Sequence, residues 1–150
     1  MTETDTDASP ADDAIPPPPE GFVLQQVRGP FSLHNGPYYE RRSENGAEQA
    51  FFVLARHCNQ MGFAHGGMLS AFVDGLLATS VGRATKSVGV TIHLSIDYLA
   101  PAKRGEWVFG EAKVTRETQE FAFAEARIHA GGRDVVRASG IFRLRRRHKV

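Results

Sequence analysis

Asn59, His65, Gly66, Gly67 and Asp74 stand in the arrangement Asn59-x5-His65-Gly66-Gly67-x6-Asp74. Read physically, this is a loop that ends in two glycines, opens a helix and carries a lone carboxylate inside it. Free backbone N–H groups at a helix N-terminus attract developing negative charge. Gly66 has no Cβ, so a reacting group can approach its backbone closely. The Asn59 side-chain amide can donate to the same oxygen. Such an oxyanion hole gains ~10²–10³ in rate from one donor. Asp74 would supply a general base, worth ~10²–10⁴ when well placed. Plainer readings exist for each. Paired glycines make tight turns, Asn59 can close an Asx turn, and His65 can serve as a polar helix start. Asp74 is harder to set aside, because it is the only ionisable group among the seventeen residues from Gly66 to Gly82. A buried carboxylate is costly unless it is paired or functional.

Other catalytic signatures are missing from the sequence. There is no Gly-x-Ser-x-Gly elbow, and Thr85-Lys86-Ser87 lacks the glycines of a phosphate loop. His57, Cys58 and His65 lie near one another, but no His pair has metal-ligand spacing, so no metal and no cofactor is expected. Cys58, a lone cysteine beside histidines, reads as structural rather than nucleophilic.

Helix geometry adds a constraint. Gly66 and Asp74 are eight residues apart, ~12 Å along the axis at 1.5 Å per residue. One small reacting group cannot touch both on one helix. If both serve one reaction, the second comes from another copy of the chain, which predicts a dimer with sites at its interface.

The elements that must position these residues follow from periodicity. Residues 21–30 read as a lead-in loop, 31–42 as a strand interrupted at Asn35-Gly36-Pro37, and 48–57 as a second strand. From Gly66 to Gly82, Met68, Leu69, Phe72, Val73, Leu76, Leu77 and Val81 cover most of the helix circumference, the mark of a buried helix. Ser70, Asp74 and Ala78 form its less apolar edge. Val88, Val90, Ile92, Leu94, Ile96 and Tyr98 then alternate with small or polar residues, which predicts one strand with one apolar face. Further strands are expected over 106–115, 120–130 and 133–147. Two strands, one long helix and four strands give an α+β domain with an antiparallel sheet. One helix cannot cover a flat sheet of six strands, so the sheet should curl around it. Ala122, Ala124, Ala126, Ala138 and Gly140 would permit the close approach.

The span from Asn59 to Asp74, with Gly89-Val90-Thr91 and the run from Ile96 to Ala102, resembles the hotdog-fold acyl-CoA thioesterases. The type it resembles is the PaaI-like, or thioesterase-superfamily-member-2-like, group, over about residues 31–147. The resemblance implies a curled antiparallel sheet around one long helix, in dimers that often pair into tetramers. It implies that Asn59 and the Gly66 N–H hold the thioester carbonyl, with His65 positioning the loop. Asp74 of the partner subunit would activate water or attack directly. Thr91 falls where such proteins have a Ser or Thr that orients the water. By strand alternation Thr91 lies opposite Val90 and Ile92, so reaching the site requires a kink, expected near Gly89. A coenzyme A thioester would need cations for its phosphates. Lys103 and Arg104 are candidates, and Gly67 and Phe63 are candidate substrate contacts. Arg143, Arg145, Arg146, Arg147 and Lys149 are equally readable as a solvated edge that resists aggregation. Phe63, Met68, Phe72 and Tyr98 would line an apolar acyl pocket or belong to the core.

Composition bounds the rest. The chain has 150 residues, enough for one domain. Residues 1–20 hold six acidic side chains, no basic one, and five of the eight prolines. They are expected to be a disordered tail, with the domain over 21–150. The whole-chain charge of +1 therefore conceals a basic body. Its basic residues are too dispersed for nucleic acid, except at the C-terminus. One cysteine excludes an intrachain disulfide framework. The acidic N-terminus is not a secretory signal, and no apolar run approaches the ~20 residues of a membrane span. A cytoplasmic protein is the default.

Three alternatives remain at this stage. A non-catalytic acyl-CoA-binding protein on the same fold would more readily lack Asp74. A hydratase or dehydratase on that fold would carry differently spaced His and acid residues. A nucleic-acid-binding β-protein using the C-terminal arginines would show salt-sensitive retention of DNA or RNA.

Overall fold

A computed structural model describes residues 14–26, 29–44 and 46–145. In chain order the elements are β1 (Val23–Leu24), α1 (Pro30–Asn35), β2 (Tyr39–Arg41), β3 (Ala47–Phe52), a 3₁₀ turn (Ala55–His57), α2 (Gly66–Thr85), β4 (Val88–Tyr98), β5 (Trp107–Glu117), β6 (Phe121–Ala130) and β7 (Arg133–Arg145). The seven strands form one antiparallel sheet in the order β1-β2-β3-β5-β6-β7-β4. The sheet curls around α2, as its sequence pattern requires. The additional strand is β1, a two-residue edge piece inside the expected lead-in loop.

Residues 31–42 depart from the expected strand. Pro30 takes the first turn of α1, where its missing N–H is no loss and its fixed φ suits a helix. Asn35 Nδ2 donates to Phe31 O at 3.0 Å and closes the turn. Only Tyr39–Arg41 then remains as strand. The second strand also ends early, at Phe52, and the chain folds into the 3₁₀ turn before the Asn59 loop. Of the expected tail, residues 1–13 lie outside the described residues, as do Arg146, Arg147 and Lys149 at the other end. Pro19 is tied to the body by the Phe22 N–H, which donates to its carbonyl at 3.0 Å.

The core lies between α2 and the concave face of the sheet. Phe51, Phe72, Leu76, Leu77, Val108, Ile128 and Phe142 are fully buried there. Ala122, Ala124 and Ala126 on β6 are also buried and keep the helix close. Gly110 on β5 is required by the same approach, because an added Cβ would lie 2.6 Å from Leu76 and 2.7 Å from Ile128. The helix is not covered all round in the protomer. Ser70, Ala71, Asp74, Ala78 and Thr79 are half-buried and Gly75 is exposed, which leaves a partly open stripe along one side.

β4 does not keep one apolar face. Its pairing with β7 shifts register between Thr91 and His93, so Ile92 is the extra residue of a bulge. A bulge reverses the inward parity of a strand. Gly89 and Thr91 face the helix before it, and Leu94 and Ile96 after it. Val88, Val90 and Ile92 are left exposed on an edge strand.

Candidate active site

The Asn59 loop is a small self-contained turn. Asn59 Oδ1 accepts the N–H groups of Met61 at 3.0 Å and Phe63 at 3.2 Å, and Asn59 N donates to Phe63 O at 2.8 Å. The Asx-turn reading is therefore correct, and it does not compete with a catalytic one. Both turn bonds use the oxygen, so the Nδ2 donors remain for a ligand. The loop is stitched to the β4–β5 turn by Ala64 N to Ala102 O at 2.7 Å, Arg104 N to Gly62 O at 3.0 Å, and a bridge between Phe63 and Lys103. Phe63, Lys103 and Arg104 thus stand beside Asn59, and both cations are exposed.

His65 caps α2. Its N–H donates to His57 O at 2.7 Å, and its Nδ1 accepts the Gly67 N–H at 2.8 Å. A Cβ on Gly67 would sit 3.0 Å from that Nδ1, so Gly67 serves the cap. The Gly66 N–H, at the first helical position, has no protein acceptor among the described residues. Nothing in the fold demands glycine there. Its φ is ordinary and an added Cβ would meet only the Tyr98 ring, at 3.5 Å. Tyr98 was missed as a polar residue. Its hydroxyl donates to Gly66 O at 3.3 Å and bonds Ser70 Oγ, which itself donates to Gly66 O at 2.8 Å. This pins the helix start, a role that apolar alternation along β4 concealed.

Asp74 lies two turns further on. Its Oδ1 accepts a hydrogen bond from Thr91 Oγ1 at 2.7 Å. The kink that brings Thr91 to it is the bulge at Ile92, not a bend at Gly89. Gly89 itself faces the core, where a Cβ would lie 3.0 Å from Val81 and 3.1 Å from Phe142. Asp74 opens into a cavity of about 260 Å³ between α1, β3 and α2, whose walls include Phe31, Tyr38, Gln49, Phe72 and Thr79. Burial pushes the Tyr38 hydroxyl above its usual range, partly offset by the nearby Arg56 charge. Two larger grooves, of about 640 and 620 Å³, lie on the outer face of the sheet and touch none of these groups.

The residues singled out by sequence therefore fall in two clusters within one protomer. Asn59, Phe63, His65, Gly66, Gly67, Lys103 and Arg104 gather at the start of α2. Asp74 and Thr91 stand ~12 Å along the same helix. Cys58 belongs to neither as a nucleophile. Its Sγ donates to Leu54 O at 3.4 Å, and burial holds the thiol above its ordinary pKa despite Arg104. Among the described residues no group of three His, Cys, Asp or Glu side chains could hold a metal ion, and no helix is long and apolar enough to cross a membrane.

Comparison with known proteins agrees with this architecture. The thioesterase superfamily model matches residues 61–137, just over half of the chain. A candidate esterase of Pseudomonas aeruginosa is 36% identical over 129 residues, covering 84% of this chain and 96% of that protein. Human acyl-coenzyme A thioesterase 13 is 35% identical over 76 residues, 47% of this chain and 51% of its own length. The chain thus spans about half of that relative. The structure of a point variant of the phenylacetic acid degradation protein PaaI from Thermus thermophilus superposes with a TM-score of 0.69 at 26% identity, covering 77% of this chain and 98% of that one. The fold is the hotdog fold, and with the family model and a nearly full-length relative in agreement, the chain belongs to the thioesterase superfamily.

Proposed function

We propose that the protein hydrolyses acyl-coenzyme A thioesters at sites shared between two protomers. Membership of the family makes it a thioester hydrolase; the coenzyme A carrier, the residue roles and the dimer are this reading. Asn59 Nδ2 and the Gly66 N–H of one protomer hold the thioester carbonyl oxygen. Asp74 of the other takes a proton from water as that water attacks the carbonyl carbon. The negative charge that builds on the oxygen is met by donors already fixed in place by the Asn59 turn and the His65 cap, which lowers the barrier most where the charge is largest. Collapse of the tetrahedral intermediate breaks the C–S bond. The proton then passes from Asp74 to the departing thiolate, giving free acid and coenzyme A. The chemistry calls for no metal and no organic cofactor.

The observation that carries this reading is the held carboxylate. Asp74 is half-buried, aimed by Thr91 and open to a cavity, while the two free donors lie too far along the same helix to share its substrate. The exposed apolar side chains of edge strand β4 and the partly open stripe of α2 give a second copy a surface to cover. A homodimer completes the site; pairing of dimers into a homotetramer would leave it unchanged. Lys103 and Arg104, beside the Asn59 turn, are placed for coenzyme A phosphates. A reducing, cytoplasmic compartment fits a chain with one cysteine. Nucleic acid and membrane play no part in this scheme.

The test is release of free thiol from a panel of acyl-CoAs. Turnover by the wild type and its loss by ~10²-fold or more in Asp74→Asn is the expected result. Near-normal turnover in that variant would contradict the role of Asp74.

A further inference from the structure

Resting on the thioesterase reading, we propose that Gln49 selects short acyl groups carrying a hydrogen-bond donor, such as a hydroxyl, at the end remote from the thioester.

Gln49 occupies a position where the fold expects an apolar residue. The inward side chains of β3 are Ala47, Gln49 and Phe51, and Ala47 and Phe51 are 1% and 0% exposed. Gln49 between them is only 3% exposed. A buried primary amide is unfavourable unless its donors and acceptor find partners. Its Nε2 donates to Thr79 Oγ1 at 3.0 Å. Thr79 Oγ1 gives its one proton to Gly75 O at 2.8 Å, so toward Gln49 it can only accept. That sequence of bonds sets the amide orientation. The NH₂ faces Thr79, and Oε1 is left as an acceptor with no protein donor among the described residues.

Oε1 is not sealed in the core. Among the described residues, Arg133 Nε is the one fully buried side-chain polar atom without a partner. Gln49 and Thr79 both line the cavity of about 260 Å³ that also holds Asp74. Thr79 is five residues beyond Asp74 on α2, ~7.5 Å along the axis. Phe31, Tyr38 and Phe72 wall the space between. An acyl group whose carbonyl is beside Asp74 therefore runs past aromatic side chains and ends at an oriented acceptor. An unsubstituted alkyl terminus would leave that acceptor without a partner, whereas a terminal hydroxyl would satisfy it.

The experiment compares kcat/KM of the full-length protein for 6-hydroxyhexanoyl-CoA, hexanoyl-CoA and heptanoyl-CoA, the last matching the hydroxylated chain in length. The wild type should favour the hydroxylated substrate by about tenfold or more. In Gln49→Leu, an apolar residue in an apolar setting, the ratio should fall to about one or invert. Thr79→Val, which releases the amide from its fixed orientation, should also reduce it. A wild-type ratio of one or less, or an undiminished ratio in Gln49→Leu, would overturn the proposal. Should Gln49→Leu not fold, the wild-type ratio and Thr79→Val decide. Equal hydrolysis of all three substrates contradicts the selection by Gln49 alone. Hydrolysis of no acyl-CoA contradicts the thioesterase reading and this inference with it.

Discussion

Thr91 Oγ1 on the edge strand donates to Asp74 Oδ1 on the central helix at 2.7 Å, and the bulge at Ile92 is what turns it there. The bond leaves one carboxylate oxygen and the cavity side free for a reactant. A hydrogen bond to a charged group is worth about 1.5–3 kcal/mol. Thr91→Val keeps the β-branched shape and removes the donor, so kcat should fall roughly ten- to a hundredfold with little change in melting temperature. Thr91→Ser should recover most of the loss. Equal rates in all three proteins would make the bond merely structural.

Cys58 offers a test of the mechanism by exclusion. Burial raises its thiol pKa, so less thiolate is present at neutral pH than for free cysteine. At pH 7 the native protein should label more slowly with a thiol reagent than free cysteine does. Cys58→Ala should retain turnover. Rapid labelling that tracks loss of activity, with an inactive Cys58→Ala, would restore Cys58 as a nucleophile.

The turn that presents Lys103 and Arg104 is braced by a carboxylate. Glu106 Oε2 accepts from Arg133 Nη2 at 2.6 Å and from the Lys103 N–H at 2.7 Å. The Arg133 hydrogen bond, helped by that N–H and by both cations, lowers the Glu106 pKa below its usual 4.5. A depressed carboxylate contributes stability that is complete above the unfolded pKa and is lost as pH falls through the folded one. Between pH 6 and pH 3 the wild type should therefore lose more melting temperature than Glu106→Gln. The pair is partly exposed, so the differential should be about 3 °C. Parallel curves for the two proteins would remove Glu106 from the acid response.

The central helix was legible because apolar residues recur nearly all round it and one carboxylate interrupts them. The Asn59 loop was legible because glycine and asparagine have few alternative uses before such a helix. Three features were not. Phe31, Leu33, Tyr38 and Tyr39 look like strand, but Pro30 starts a helix, and a signal at one position was outweighed by composition over ten. β4 looks uniform because Val88, Val90, Ile92, Leu94, Ile96 and Tyr98 alternate without a break. A bulge inserts no special residue type, so a change of face inside that pattern leaves no trace in it. Gln49 reads as the polar side of a strand, and only the pairing register shows that it points to the core.

The shared site is the claim on which the rest depends, and subunit mixing tests it directly. Asn59→Ala and Asp74→Ala chains, each nearly inactive, are unfolded together in equal amounts and refolded. Random pairing makes half of the dimers mixed. In each mixed dimer one site carries both substitutions and the other carries neither, so activity should recover to about one quarter of wild type. That far exceeds either variant alone, because loss of a donor or base costs ~10²-fold or more. If Asn59 and Asp74 of one chain served the same site, every site in the mixture would lack one of them. No recovery, with mixed dimers confirmed by mass spectrometry, would contradict the account.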